Sequence, residues 1–180
     1  MCYNVFNYYH TTNIFMTILG IDPGYGIVGW GVVDYRQNRF TTLGYGAVTT
    51  PADMDFCERL KVIYDDLKSI ITLFSPATAA VEKLYFQNNQ KTAINVAEAR
   101  GVILLALQTS GITIGEYTPL QVKSAVVGYG KAEKKQVQEM TKRILNLSEI
   151  PKPDDTADAL ALAIAHAHSG GYGLAYKGAL

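Results

Sequence analysis

The sequence lacks the features that would place the protein in a membrane or outside the cell. Its two cysteines, Cys2 and Cys57, lie far apart and form no Cys-x-x-Cys pair, so we expect free thiols in a reducing compartment. The most strongly apolar run, residues 102–107, falls far short of the ~20 residues that span a bilayer. The N-terminus has neither the basic start nor the apolar stretch of a secretory signal. These absences predict a cytoplasmic protein without a membrane partner.

The chain also lacks an excess of either charge. Lys+Arg and Asp+Glu are 16 each, so the overall composition does not indicate nucleic-acid binding. Between positions 120 and 145, however, six basic residues stand against two acidic ones, Glu133 and Glu139. The basic residues are Lys123, Lys131, Lys134, Lys135, Lys142 and Arg143. Such a segment can bind phosphates, but a solvent-exposed helix face has the same composition, so both interpretations stay open.

The length of 180 residues, 48% of them hydrophobic, is sufficient for one domain with a substantial core. Residues 1–15 are rich in Tyr, Phe, Asn and Thr and contain no Lys or Arg, so we predict a disordered N-terminal extension. The folded domain is predicted to cover residues 16–169. The Gly-rich end, residues 170–180, is predicted to be a flexible tail.

Hydrophobic periodicity predicts a mixed α/β order. Alternation and short polar turns indicate three strands at the start, and an apolar stripe every three or four residues then indicates a long helix. The predicted strands are 17–22, 27–34, 40–48, 78–81 and 112–117. The predicted helices are 56–74, 89–108, 119–127, 133–147 and 155–168, the last capped by Asp154 or Asp155. This is the element order of an RNase H-like fold, an α/β domain with a mixed five-stranded sheet flanked by helices.

Four acidic residues lie at positions where an unpaired charge at the edge of a core would be costly. Asp22 ends the first strand and Glu82 follows the fourth, while Asp155 and Asp158 lie three apart and therefore on one face of the last helix. If the first and fourth strands are neighbours, Asp22 and Glu82 emerge at the same edge. Clustered carboxylates repel one another, and hard divalent cations remove that repulsion. A ligand set made only of oxygens favours Mg²⁺ or Mn²⁺ over zinc.

Two such ions ~3.5–4 Å apart can hold a phosphodiester, one activating the attacking water and the other supporting the leaving oxygen. This arrangement would cut a nucleic-acid strand without a covalent intermediate. Simpler roles exist for single residues, since Asp22 could be a turn residue before Pro23 and Asp155 a helix cap. The spacing alone therefore makes the metal site a hypothesis.

Several segments resemble RuvC-type Holliday-junction resolvases. Ile18–Gly24 resembles the opening motif of that family, and Glu82–Asn89 resembles its second acidic motif with the loop that follows. Further similar segments are Ala99-Arg100-Gly101, Gln121-Val122-Lys123, Val126–Gly130, Ala132-Glu133-Lys134, Gln136-Val137 and Asp155–Ala161. The similarity runs in order from about residue 16 to about residue 169. Several collinear motifs are far more specific than a lone Asp-Pro-Gly.

The resemblance implies a homodimer that binds a four-way DNA junction and resolves it by paired symmetric nicks. It implies two Mg²⁺ per active site, with Mn²⁺ as a substitute, and cooperation with the RuvA–RuvB branch-migration complex in recombination and repair. By position, the metal-binding acids are Asp22, Glu82, Asp155 and Asp158, and Lys134 assists at the scissile phosphate. Some family members carry His where this chain has Asp155.

The resemblance also places DNA contacts on the loop after Glu82. Tyr85 falls on an aromatic position, commonly Phe in the family, that stacks on a base near the branch point, and Phe86 could take over that role. Further expected DNA contacts are Asn89, Lys123, Lys131 and Lys135. Arg100, by contrast, is expected to be ion-paired or solvent-exposed, and His166 and His168 are expected to pack or lie at the surface.

Other classes fit part of the pattern. An actin- or sugar-kinase-like ATPase also places an Asp and a Gly after its first strand, but the chain is too short for two such domains and shows no second phosphate loop. A non-catalytic RNase H-like module would have lost the acids, and all four are present. A related nuclease acting on RNA or on another branched structure stays open, because metal chemistry on a phosphate does not choose the sugar.

Overall fold

The structure, a computed structural model, describes residues 15–84, 90–170 and 174–175, with side chains for residues 16–84 and 92–170. The strands are β1 (Phe15–Asp22), β2 (Ile27–Arg36), β3 (Arg39–Thr49), β4 (Thr78–Glu82), β5 (Thr113–Tyr117) and β6 (Leu174–Ala175). The helices are α1 (Phe56–Phe74), α2 (Gln90–Thr109), α3 (Pro119–Val127), α4 (Lys134–Ile144) and α5 (Asp154–His168). Within these ranges no helix combines the length and apolarity that crossing a bilayer requires.

The sheet has the strand order β3-β2-β1-β4-β5-β6. The first three strands form an antiparallel meander, whereas β4 runs parallel to β1 and β5 parallel to β4. The predicted mixed five-stranded sheet of an RNase H-like fold is therefore confirmed. β6 adds a two-residue antiparallel strand at the free edge of β5. It lies in the segment that the sequence predicts to be a flexible tail; two residues carry no periodicity, and the open edge of β5 accounts for the pairing.

Local sequence signals set the helix ends. The side chain of Asp55 accepts a hydrogen bond from the backbone N–H of Cys57 at 2.8 Å and caps the start of α1. The helix ends where Ser75 adopts a left-handed conformation, with φ of 45°, before Pro76. α3 begins with Pro119 at its first turn and a reciprocal capping box between Thr118 and Gln121.

Most predicted helix ends agree with the structure to within one residue, but the end of α4 and the cap of α5 differ. α4 ends at Ile144 rather than at residue 147, because Asn146 adopts a positive φ of 50° that interrupts the helix. The prediction that Asp154 or Asp155 caps α5 is wrong. Pro153, with φ of −63°, occupies the cap position and no side chain bonds there, so both aspartates lie inside the first turn. Their charges still face the positive end of the helix dipole.

Consecutive residues of β1 point to opposite faces of the sheet, and each face has its own core. Ile18 packs into a cluster with residues of α3, α4 and α5, whereas Leu19 packs into a cluster with residues of α1 and α2. Both side chains are fully buried. The sheet is thus covered by helices on both faces. On one of them α5 packs across β1 and β2, and Asp22 is the last residue of β1.

Candidate active site

The ends of β1 and β4 bring Asp22 and Glu82 together. The parallel pairing of the two strands places Ile21 beside Val81, so the next residue of each strand, an acid in both cases, emerges at the same edge. Because the strands run in the same direction, this edge is the carboxyl end of both. The juxtaposition predicted from the sequence is therefore present.

Glycines in β1 and β2 let α5 lie very close to the sheet. A Cβ built on Gly29 would lie 2.0 Å from the backbone oxygen of Asp155, and one built on Gly20 would lie 1.9 Å from that of Ala159. Any side chain at these two positions would push the helix away. Gly29 also pairs with Asp22 across the β1–β2 ladder, so the close approach sets the first turn of α5 beside Asp22. The glycines thereby bring Asp155 and Asp158 to the acidic edge.

The carboxyl groups of Asp22 and Glu82 share a hydrogen bond in an environment poor in solvent. Burial, the negative charges of Glu82 and Asp158, the hydrogen bond and the charge of Asp155 raise the pKa of Asp22 to about 9. The pKa of Glu82 is raised as well, chiefly by burial, although the hydrogen bond from Asp22 and the charge of Lys134 oppose the shift. Two full negative charges on these neighbouring, buried carboxyl groups are therefore costly without a cation.

Lys134 provides the positive charge nearest to the acids. It is the first residue of α4, and its Nζ lies 2.9 Å from Asp158 Oδ2 and 3.3 Å from Asp154 Oδ2. Partial burial lowers its pKa, but the hydrogen bonds and charges of the two aspartates outweigh burial and leave the pKa above its ordinary value. For Asp158, burial raises the pKa more than the Lys134 ammonium lowers it. The lysine therefore stays protonated among carboxylates.

The site thus combines carboxylates from the ends of β1 and β4 and from the start of α5 with Lys134 from α4. A family model described as crossover junction endodeoxyribonuclease RuvC matches residues 18–166. The chain belongs to the RuvC family. The family predicted from the sequence motifs is confirmed, and the ATPase alternative is set aside.

Relatives and a solved structure agree with the family model. The chain is 57% identical over 154 residues to a RuvC of Ruminiclostridium cellulolyticum, covering 86% of this chain and 93% of the relative. It is 55% identical over 162 residues to a RuvC of Alkaliphilus oremlandii, covering 90% and 99%. It is also similar to Thermus thermophilus RuvC in complex with a Holliday junction substrate, with a TM-score of 0.83, 35% identity and coverage of 89% and 98%.

Membership of the RuvC family implies a divalent-metal-dependent nuclease, and the donor set fits that chemistry. All four acids offer hard oxygen ligands, and the raised pKa values of Asp22 and Glu82 mark a place where a cation would relieve repulsion. Among residues 16–84 and 92–170, no group of three or more His, Cys, Asp or Glu side chains is already arranged as a metal cage.

A cavity of about 230 Å³ opens beside the acids of this RuvC-family chain. Glu82, Asp158 and Lys134 form its polar side together with Lys123. Its floor consists of apolar residues of α3, α4 and α5, among them Val137, which is 6% exposed. Lys123, predicted as a DNA contact, is thus placed at the rim of the acidic site.

The other predicted DNA contacts are distributed differently. Lys131 lies in the turn between α3 and α4, and Lys135 follows Lys134 on α4; both are exposed. Tyr85, Phe86 and Asn89 lie outside the described residues.

Three polar groups near the site were not predicted to take part in it. Asp154, considered only as a helix cap, is the second partner of Lys134. Arg100 on α2 forms an ion pair with Glu116 on β5, and its Nε donates to the backbone oxygen of Glu82 at 3.2 Å. The Ala99-Arg100-Gly101 motif was the sequence signal for this arginine, but nothing in the sequence identifies its partners.

His166 is fully buried and packs, as predicted, rather than lying in the acidic cluster. Its Nε2 lies 2.9 Å from the hydroxyl of Thr78 and its Nδ1 lies 2.8 Å from that of Tyr117. Burial lowers its pKa to about 4, so the ring is neutral. The histidine thus ties α5 to β4 and β5 through neutral hydrogen bonds.

Proposed function

We propose that this chain resolves four-way DNA junctions by paired symmetric nicks during recombination and repair. The observation that carries the proposal is the convergence of Asp22, Glu82, Asp155 and Asp158 at one edge of the sheet, with Lys134 paired to the last of them. Similarity to a RuvC in complex with a Holliday junction substrate supports DNA junctions as the substrate.

The proposed cofactor is a pair of Mg²⁺ ions, with Mn²⁺ as a substitute, held by the four acids. When bound, such ions supply activation of the attacking water and stabilisation of the leaving oxygen. Asp22 and Glu82 would offer oxygens from the two strand ends. Asp155 and Asp158 would offer oxygens from the first two turns of α5. Because these residues lie on β1, β4 and α5, the rigid elements would keep the donor oxygens at fixed relative positions.

Lys134 acts on the substrate in this proposal. Its ammonium, protonated and half exposed, can reach a non-bridging oxygen of the scissile phosphate once that phosphate enters the carboxylate cluster. A donor fixed at the place where negative charge grows lowers the barrier to cleavage. The exposed Asp154 and the more buried Asp158 keep the lysine oriented before substrate arrives.

A homodimer is part of the proposal because two opposed strands must be nicked. Support comes from α2, which is apolar on two faces. One face is buried against the sheet and α1, including Ala99 and Ile103. The opposite face exposes Ile94 by 66% and Leu105 by 55%, and a Cβ on Gly101 between them would meet nothing within 4 Å. An exposed apolar stripe with a flat centre is suited to pairing with a second copy.

DNA contacts and partners complete the proposal. Tyr85 or Phe86 stacks on a base at the branch point, and Asn89, Lys123, Lys131 and Lys135 contact the strands. Lys123 has the best structural support, because it shares a cavity with Glu82 and Lys134. We further propose that the enzyme works in the cytoplasm with the RuvA–RuvB complex, in keeping with the family.

The test uses a synthetic four-way junction and a linear duplex of the same sequence, each with Mg²⁺ and with Ca²⁺. Symmetric nicks in the junction alone, with Mg²⁺ alone, are expected. Equal cutting of the linear duplex, or cutting of an RNA junction at the same rate, would contradict the substrate. The Asp22→Asn variant from a parallel preparation excludes a contaminating nuclease, because it should leave both substrates uncut.

A further inference from the structure

Arg100 occupies an unusual place for a charged residue. Its neighbours Ala99 and Ile103 on α2 are fully buried in the core, and its own side chain is only 16% exposed. A buried guanidinium is costly unless it is paired and hydrogen-bonded. Its partner Glu116 on β5 is buried to a similar degree, with a side chain 11% exposed.

Arg100 also contacts β4, the strand that ends in Glu82. While one nitrogen of Arg100 faces Glu116, its Nε donates to the backbone oxygen of Glu82. That oxygen belongs to the last residue of β4. The following residue, Lys83, donates its N–H to the oxygen of Tyr117 at 2.8 Å and extends the β4–β5 ladder by one step. The end of β4 is thus held from α2 on one side and from β5 on the other.

The geometry points to Arg100 as a positioning residue: with Glu116 as its anchor, it fixes the backbone at Glu82 so that the carboxylate faces Asp22. The planar guanidinium is suited to this, because it donates in two directions from one rigid group. Partners in the layer behind metal ligands orient those ligands, and losing one typically costs ~10–100-fold in metal affinity or activity. This inference rests on the proposed metal site at Glu82.

The experiment compares four variants with the wild type, all as full-length protein. Arg100→Lys keeps the positive charge opposite Glu116 but cannot donate in two fixed directions. Arg100→Met removes the guanidinium and with it the contacts to Glu116 and Glu82, and Glu116→Gln keeps an acceptor while removing the anchor charge. Arg36→Met is the control, because Arg36 pairs with Asp34 at the far end of β2. The measurements are urea unfolding, Mn²⁺ binding by calorimetry, amide exchange at Lys83, and single-turnover nicking against Mg²⁺ concentration.

We expect Arg100→Lys to stay folded, to exchange the Lys83 amide faster, and to lose roughly 10–100-fold in Mn²⁺ affinity or nicking rate. Glu116→Gln should change the same quantities less, and Arg36→Met should change none of them. Wild-type Mn²⁺ affinity, nicking rate and Lys83 exchange in Arg100→Lys would overturn the inference, even if Arg100→Met is unfolded.

Failure of the proposed function would give a different experimental result. If the wild type shows no Mn²⁺ binding that depends on Asp22, the metal site itself is wrong. In that case exchange of the Lys83 amide still tests whether Arg100 fixes the end of β4. Faster exchange in Arg100→Lys supports that role of Arg100, and unchanged exchange overturns it.

Discussion

The ammonium of Lys134, at the start of α4, lies 2.9 Å from a carboxylate oxygen of Asp158, in the first turns of α5. The two side chains are 54% and 32% exposed. An ion pair this open to solvent contributes only ~0–1 kcal/mol to folding. Lys134 can therefore be replaced with little loss of stability, so its part in chemistry is separable from its part in the fold.

Replacing Lys134 by Ala should lower the single-turnover nicking rate at saturating enzyme by roughly 10²–10³-fold, because one donor at the growing charge is lost. Junction affinity should change little. Lys135→Ala is the matched control, since Lys135 is exposed and projects ~100° away on the same helix. If both variants lose affinity alike, or if saturating enzyme restores the Lys134→Ala rate, Lys134 is only a binding charge.

Replacing Asp22 by Asn should abolish nicking and leave junction binding intact. The amide keeps the shape of the side chain but offers no negative charge at the centre of the carboxylate cluster. A gel shift in Ca²⁺ and a nicking assay in Mg²⁺ on one preparation measure the two effects. Residual cutting at more than a small fraction of the wild-type rate would argue against the assignment of the metal site.

Without metal, the same substitution should stabilise the protein at high pH. The pKa of Asp22 is about 9 when folded, against an ordinary 3.8, so the folded state binds a proton that the unfolded chain releases. The stability from this group is complete at low pH and is lost as pH rises through about 9. The advantage of Asp22→Asn should therefore grow from about pH 4 to about pH 9.

Melting temperatures in EDTA measure that advantage, with an expected gap of at least ~2 °C at the upper end. Asp53→Asn serves as the control, because Asp53 is exposed in the loop between β3 and α1. Added Mg²⁺ should raise the melting temperature of the wild type and not that of Asp22→Asn. A gap that does not change with pH would mean that Asp22 is ionised in the folded protein.

Changing Ile94 and Leu105 together to Glu should convert a dimer into a folded monomer, because like charges would face each other across the stripe on α2. Junctions should then receive single nicks in place of paired ones. Leu73→Glu is the control, since Leu73 is 75% exposed on α1. Sedimentation gives the mass; an unchanged dimer would place the interface elsewhere.

Replacing Tyr85 and Phe86 together by Ala should impair cleavage of an intact junction more than cleavage of one already opened at the branch point. Stacking of an aromatic on a base is worth roughly 1–3 kcal/mol and offsets part of the cost of unstacking. Tyr45→Ala, an exposed aromatic on β3, is the control. Equal losses on both substrates would mean that the pair only packs the loop.

The sequence by itself determined the elements and the acidic residues of the candidate site. Alternation and the apolar stripes predicted the five main strands and five helices because burial imposes periods of 2 and 3.6 residues. The motif around Asp22 and the pair on α5 predicted the acids because each follows or begins an apolar element. Both kinds of pattern depend on residues close together in the chain, so the sequence alone is sufficient to show them.

Only the tertiary structure decided which residues contact one another across the sequence. Register between β1 and β4 sets Asp22 beside Glu82, and glycines such as Gly29 let α5 approach closely enough to join them. The packing of α4 on α5 brings Asp154 to Lys134, and the packing of α2 on β5 brings Arg100 to Glu82. Hydrogen bonds and charges act over a few ångströms, so contacts between distant positions exist only once the chain has folded.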